Sequence, residues 1–149
     1  GKVEMLSEQE VEKSQNVTVL LIDDDDIDAM LVKRAFKDNR LLNPLIHAVD
    51  GVEAWELLES GDVSKPFIIL LDLNMPRMNG QEFLAKLRGD SRFREAIVFV
   101  LTTSRAEEDK IKAYNYNVAG YLLKENVGTD FMQALQLLKS YWRIVEFPG

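Results

Sequence analysis

Four short apolar runs in this chain each end on a residue that carries charge or a hydroxyl. Val19-Leu20-Leu21-Ile22 leads into Asp23-Asp24, and Phe67-Ile68-Ile69-Leu70-Leu71 leads into Asp72. Val98-Phe99-Val100-Leu101 stops at Thr102, and Tyr121-Leu122-Leu123 stops at Lys124. Continuous apolar runs of this length, separated by helix-length segments, are the pattern of strands buried on both faces of a parallel sheet. In an open sheet of that type, ligands bind outside the carboxyl ends of the strands. Three carboxylates, a hydroxyl and an ammonium would then meet at one edge, a set suited to a metal-assisted aspartyl phosphate.

The alternation continues along the chain. Strand 1 is expected at Thr18–Ile22 and a first helix from Asp26 to about Asp38, with Ile27, Met30, Leu31 and Ala35 at helical spacing. Strand 2 is expected at Leu45–Val49, ended by an Asp50-Gly51 turn, and a second helix begins with Val52–Leu58. Strand 3 (Phe67–Leu71) runs into the loop Asn74-Met75-Pro76-Arg77-Met78-Asn79-Gly80, followed by a helix over Gln81–Arg88. Strand 4 (Ile97–Leu101) precedes a polar helix from Ala106 to about Tyr116. Strand 5 (Gly120–Leu123) precedes a long last helix from about Gly128 to Val145. Five strands alternating with five helices predict a doubly wound α/β domain with right-handed crossovers. Residues 1–16 are polar and acidic and read as a mobile arm, leaving one domain over 17–147.

Composition narrows the function. The 149 residues are 46% hydrophobic and 29% charged, as in an ordinary globular domain long enough to bury a core. Asp and Glu outnumber Lys and Arg by 25 to 18, for a net charge of −7, and no basic stripe stands out, which argues against direct nucleic-acid binding. Without cysteine there is no disulfide, thiolate zinc site or thiol nucleophile, and a cytoplasmic setting is expected. No apolar run has the length of a membrane span.

Asp23, Asp24 and Asp72 at adjacent strand ends would repel one another: two unit charges ~4 Å apart cost roughly 4 kcal/mol at an effective dielectric near 20. Such a cluster either binds a cation or holds a proton. An all-oxygen site with room for water and phosphate suits Mg2+ better than zinc. A carboxylate can serve as the nucleophile, Lys124 as a point charge for a phosphoryl oxygen and Thr102 as a hydroxyl donor to it. Plainer roles compete with these. Asp25, Asp26 and Asp28 read as caps and dipole partners of the first helix, and Asp23-Asp24 alone would support that reading equally. A Thr ending a strand usually finds a backbone partner, a lone Lys is usually solvated, and His47 reads as structural. The coincidence of all these residues at one end of their own strands favours the site.

The set resembles the receiver domain of two-component response regulators, the flavodoxin-like fold of the chemotaxis regulator, over about Val17 to Phe147. The resemblance implies a five-stranded parallel sheet in the order 2-1-3-4-5. Asp72, in Leu71-Asp72-Leu73-Asn74-Met75-Pro76-Arg77-Met78-Asn79-Gly80, falls at the family's phosphoacceptor, Thr102 at its switch hydroxyl and Lys124 at its lysine. It further implies that Asp24 and Asp72 bind Mg2+ through carboxylates, Asn74 through its backbone carbonyl, and Asp23 largely through water. Tyr121 takes the place of the switch aromatic, and Asn74 and Ser104 the positions that tune loss of the phosphoryl group. One position departs. Glu125 follows Lys124 where the family usually has Pro, often across a cis bond; a non-proline cis bond costs ~3 kcal/mol, so a trans bond and a different loop are expected. Thr102-Thr103-Ser104-Arg105-Ala106-Glu107-Glu108-Asp109 and the ending Tyr141–Pro148 are similar to single-domain regulators that partner phytochrome-like histidine kinases.

The expected function is therefore a signalling switch, phosphorylated by a sensor histidine kinase on Asp72, with no attached output domain and no enzymatic role beyond its own phosphorylation and dephosphorylation. The alternatives are an aspartyl-nucleophile phosphohydrolase, against which Asn74 stands where a second acid would be needed, and a pseudo-receiver that no longer phosphorylates. A homodimer is expected through the last helix. There Phe131, Leu135, Leu138, Trp142 and Val145 form one apolar stripe, and Ala134, Leu137, Tyr141 and Ile144 a second beside it.

Overall fold

Strand β1 (Thr18–Ile22) lies between β2 (Leu45–Ala48) and β3 (Phe67–Asp72), and β4 (Ile97–Thr102) and β5 (Gly120–Leu123) complete the sheet. The order is β2-β1-β3-β4-β5 with every pairing parallel, as expected for the doubly wound domain. The computed structural model describes residues 17–73 and 79–138. The expected arm over 1–16, Asn74 and the chain beyond Leu138 lie outside them.

The helices α1 (Asp26–Asp38), α2 (Gly51–Ser60), α3 (Gly80–Gly89), α4 (Arg105–Lys112) and α5 (Val127–Leu137) cover both faces. Strand side chains alternate between two cores. Leu20, Ile22, Ile69, Leu71, Val98 and Val100 pack with α2, α3 and α4 through Ala54, Leu58, Phe83, Leu87 and Ile111. Val19, Leu21, Ile68, Leu70, Phe99 and Leu101 pack with α1 and α5, where Phe36 and Phe131 stack with ring centroids 4.9 Å apart. A fully buried side chain such as Phe131 contributes roughly 1.5–3 kcal/mol by leaving water.

Three expectations about helices are corrected. The buried stripe of α1 is Ala29, Val32 and Phe36, whereas Ile27, Met30 and Leu31 are 65%, 51% and 47% exposed. Apolar residues occupy both sides of this helix, and packing against the sheet and Phe131 decides which side is covered. Helix α4 stops at Lys112, a turn earlier than expected, and Asn115 then adopts the left-handed region at φ 53. In α5, Phe131, Ala134 and Leu135 are buried, so Ala134 belongs to the core and not to a free second stripe, while Leu137 is 85% exposed. Tyr141, Trp142, Ile144 and Val145 lie outside the described residues.

Caps fix the helix starts at the sheet edge. Asp25 accepts from the amides of Ile27 and Asp28 at 2.8 and 3.1 Å, as the capping reading required. Asp50 accepts from the Glu53 amide at 2.8 Å, so the expected Asp50-Gly51 turn is the N-terminus of α2. Gly80 opens α3 against the end of β3: a Cβ there would lie 2.4 Å from Leu73 Cα and 2.8 Å from the Asp72 carbonyl oxygen. Only glycine lets α3 approach the end of β3 this closely. Among the described residues, no helix is long and apolar enough to cross a membrane.

Candidate functional site

The sheet register brings the site together. Ile22 pairs with Leu71 and Asp72 with Leu101, so Asp23 and Asp72 leave the sheet side by side. Both follow the alternation of residues facing α1 and α5. Asp23 is fully buried and Asp72 nearly so, while Asp24 is exposed. One carboxylate oxygen from each of Asp23, Asp24 and Asp72 falls in a group within 4.8 Å.

Lys124 closes the group from beyond β5. Its Nζ lies 2.9 Å from Asp23 Oδ2, 3.1 Å from Asp72 Oδ2 and 2.8 Å from Asp28 Oδ2, with only 13% of its side chain exposed. Burial on its own would lower the lysine's pKa. The hydrogen bond the ammonium donates to Asp28, with the negative charges of Asp23 and Asp72 beside it, outweighs burial and raises the pKa above the ordinary value, so the ammonium is locked in its charged form. The peptide bond after Lys124 is trans, as expected from Glu125, and Lys124–Asn126 form a 3₁₀ turn leading into α5.

Asp28 was legible in the sequence only as a first-turn acid of α1; its contact with Lys124 spans 96 positions. The signal that could have revealed it is its place one helical turn beyond Asp24, on the side of α1 that meets the strand ends. His47 is structural, as expected: its Nε2 hydrogen-bonds the Asp23 carbonyl at 2.7 Å and so ties the end of β1 to β2.

Thr102 and Tyr121 belong to the other face. Thr102 is fully buried, and its hydroxyl donates to the Leu122 carbonyl at 3.5 Å, a long contact that a stronger acceptor would displace. Tyr121 is half-buried against the core of α2, α3 and α4, with Lys112 Nζ 5.5 Å from its ring centroid. Burial raises the Tyr121 pKa, and the Lys112 charge opposes the rise. Ser104 caps α4, accepting from the Glu107 amide at 3.1 Å, while Glu107 reaches back to the amide and hydroxyl of Thr103. The ion-pair cluster therefore holds Asp23, Asp28, Asp72 and Lys124, with Asp24 beside it. Thr102, Tyr121 and Ser104 line the neighbouring strand ends.

The residues fit a hard divalent cation. Asp23 Oδ1 accepts the Asp25 amide at 3.0 Å, but the buried Oδ2 has no hydrogen bond, because Lys124 approaches it as an ion pair outside hydrogen-bonding geometry. A buried carboxylate oxygen that makes no hydrogen bond, beside two further carboxylates, belongs to an all-oxygen donor set of the type Mg2+ or Mn2+ takes.

Residues 19–136 match the family described as the response regulator receiver domain. The probable methanogenesis regulatory protein FilR2 of Methanothrix harundinacea (strain 6Ac) is 35% identical over 127 residues, covering 83% of this chain and 82% of that protein. The response regulator Rcp1 of Synechocystis sp. is 34% identical over 128 residues, covering 83% and 87%. The Mn(2+)-bound form of Rcp1 superposes with a TM-score of 0.60 at 33% identity, over 89% of this chain and 99% of that one. The bacteriophytochrome response regulator AtBRR superposes with a TM-score of 0.72 at 30% identity, over 88% and 98%.

Proposed function

We propose, for a chain that belongs to the response regulator receiver domain family, that Asp72 is a phosphoacceptor served by a sensor histidine kinase and that its phosphorylation switches a protein-binding surface. The observation that carries this reading is the contact between a nearly buried strand-end carboxylate, Asp72, and a locked ammonium, Lys124, at 3.1 Å. In the transfer, a carboxylate oxygen of Asp72 attacks the phosphorus of a phosphohistidine. The O–P bond forms as the N–P bond breaks, and the electron pair returns to the imidazole nitrogen. Lys124 is placed to pair with one phosphoryl oxygen and Thr102 to donate its hydroxyl to another. Asp23, Asp24 and Asp72 would hold Mg2+, with Asn74, outside the described residues, as a further expected ligand; the ion supplies charge neutralisation for the incoming phosphate.

The switch follows from Thr102 and Tyr121. A phosphoryl group adds about −1.5 to −2 charges and three acceptor oxygens, which compete with the Leu122 carbonyl for the Thr102 hydroxyl. Movement of Thr102 changes the space at the end of β4 beside Tyr121. Exposed Ile27, Met30 and Leu31 on α1 offer an apolar surface beside the strand ends for the kinase. AtBRR is named as a bacteriophytochrome response regulator, and on that likeness the partner kinase is phytochrome-like. Ser104 and Asn74 tune the lifetime of the phosphoryl group.

The direct test is incubation with Mg2+ and acetyl phosphate, with intact mass and peptide mapping. Wild type gains one phosphoryl mass on Asp72; Asp72→Asn folds and gains none. Modification of Asp72→Asn at the wild-type rate would contradict the assignment. A dimer through α5 is part of the same proposal, supported by the exposure of Leu137. Light scattering across a concentration series should give a dimer mass that Trp142→Ala lowers, and a monomer at every concentration would exclude it.

A further inference from the structure

Of the three carboxylates around Lys124, Asp28 stands outside the group of Asp23, Asp24 and Asp72 assigned above to the cation and the phosphoryl group. Asp28 makes the shortest contact, 2.8 Å, against 2.9 Å for Asp23 and 3.1 Å for Asp72. Its hydrogen bond with the ammonium is formed, as is that of Asp72. Helix α1 has no need of Asp28 as a cap, because Asp25 caps the helix and Asp26 already supplies a first-turn charge. Asp28 and Lys124 both border a groove of about 370 Å³, shared with Leu31, Arg34 and Glu125. The side chain of Asp28 is 31% exposed, so its link to Lys124 can open without unfolding α1.

An ammonium has three protons to share. A phosphoryl group on Asp72 presents three new acceptor oxygens to a cation that Asp28 already holds. We propose that Asp28 is a positioning residue that draws Lys124 toward α1 and competes with a phosphoryl group on Asp72 for its ammonium, holding down the stability of the phosphorylated state. The inference rests on the function proposed above. Asp28 would then set how readily the switch turns on, through a contact outside the metal and acceptor residues.

Fluoroberyllate with Mg2+ is a non-covalent stand-in for the phosphoryl group and isolates this effect from phosphodonor chemistry. Its affinity is measured by amide NMR shifts for wild type, Asp28→Asn and Asp26→Asn. The Asp26 variant loses the same charge from the same helix turn without touching Lys124. A parallel readout on the unliganded proteins follows the lysine Cε resonance of Lys124. Asp28→Asn should bind fluoroberyllate roughly fivefold tighter, the scale of one partly exposed charge-assisted contact, and Asp26→Asn should stay within about twofold of wild type. The Lys124 resonance should move in Asp28→Asn and stay in place in Asp26→Asn. Equal affinities in the two variants, or weaker binding in Asp28→Asn, would overturn the inference. A Lys124 resonance indifferent to Asp28→Asn would do the same while leaving the proposed function intact. Failure of wild type to bind fluoroberyllate at all would instead remove the function, and the inference with it.

Discussion

Lys124 and Arg92 each sit among carboxylates, at opposite ends of the same domain. Arg92 reaches Glu59 at 2.9 Å and Asp90 at 2.8 Å, with half of its side chain and nearly half of that of Glu59 in water. Trp55 Nε1 donates to Glu59 at 3.0 Å, and the guanidinium lies 4.9 Å from the Phe93 centroid, so the group forms a surface lattice joining α2 to the loop after α3. Around Lys124 the partners are a fully buried Asp23 and a nearly buried Asp72. On distances alone the two corners look alike. Solvent separates them: surface pairs gain little over hydrated charges, whereas removing one partner of a buried cluster strands the rest.

The largest effect should come from Lys124→Ala. In metal-free buffer it should cost about 3 kcal/mol in denaturant unfolding, because the buried acids Asp23 and Asp72 lose the ammonium that pairs with them. Added Mg2+ should restore part of that loss, a recovery that no surface pair would show. Because the Lys124 pKa is raised in the folded state, its contribution is complete below the ordinary lysine value, about 10.4, and is lost only as pH rises through the higher folded value. Neutral and mildly acidic buffers should therefore give the same difference between Lys124→Ala and wild type.

Arg92→Ala is the smaller half of the comparison. It should shift stability by well under half as much as Lys124→Ala at neutral pH and be indifferent to Mg2+. Its pH signature lies at the acid end. Hydrogen bonds from Arg92 lower the Asp90 carboxyl from 3.8 to about 2, so the contribution is present above the ordinary value and is lost as pH falls through about 2. Wild type and Arg92→Ala should converge as pH falls across that window. A larger loss for Arg92→Ala than for Lys124→Ala would break the distinction between the corners.

Much of the site was legible because a buried parallel strand writes its own boundaries. β1 and β5 end where the apolar runs do, and Asp23 and Lys124 follow directly, as Asp72 follows the apolar run of β3. The face of α1 was not legible. Ile27, Met30 and Leu31 make as good a helical stripe as Ala29, Val32 and Phe36, and packing against the sheet and Phe131 selects between them. Asp28 was hidden for a related reason. Its chemistry as a first-turn acid satisfied local rules, and nothing local reports an ammonium arriving from the far end of the chain. Ser104 shows the reverse case: its position carries a role by resemblance, and its geometry also makes it the cap of α4.

The central claim is that the strand-end acids form a cation and phosphoryl site and do more than cap a helix. Calorimetric titration of Mg2+ into wild type, Asp24→Asn and Asp25→Asn separates the two, because Asp24 stands with Asp23 and Asp72 while Asp25 caps α1. Asp24→Asn should weaken Mg2+ binding by roughly tenfold or more, the scale of losing one charged oxygen ligand, and Asp25→Asn should leave it within about twofold. Equal losses in the two variants, or no Mg2+ binding by wild type, would contradict the account.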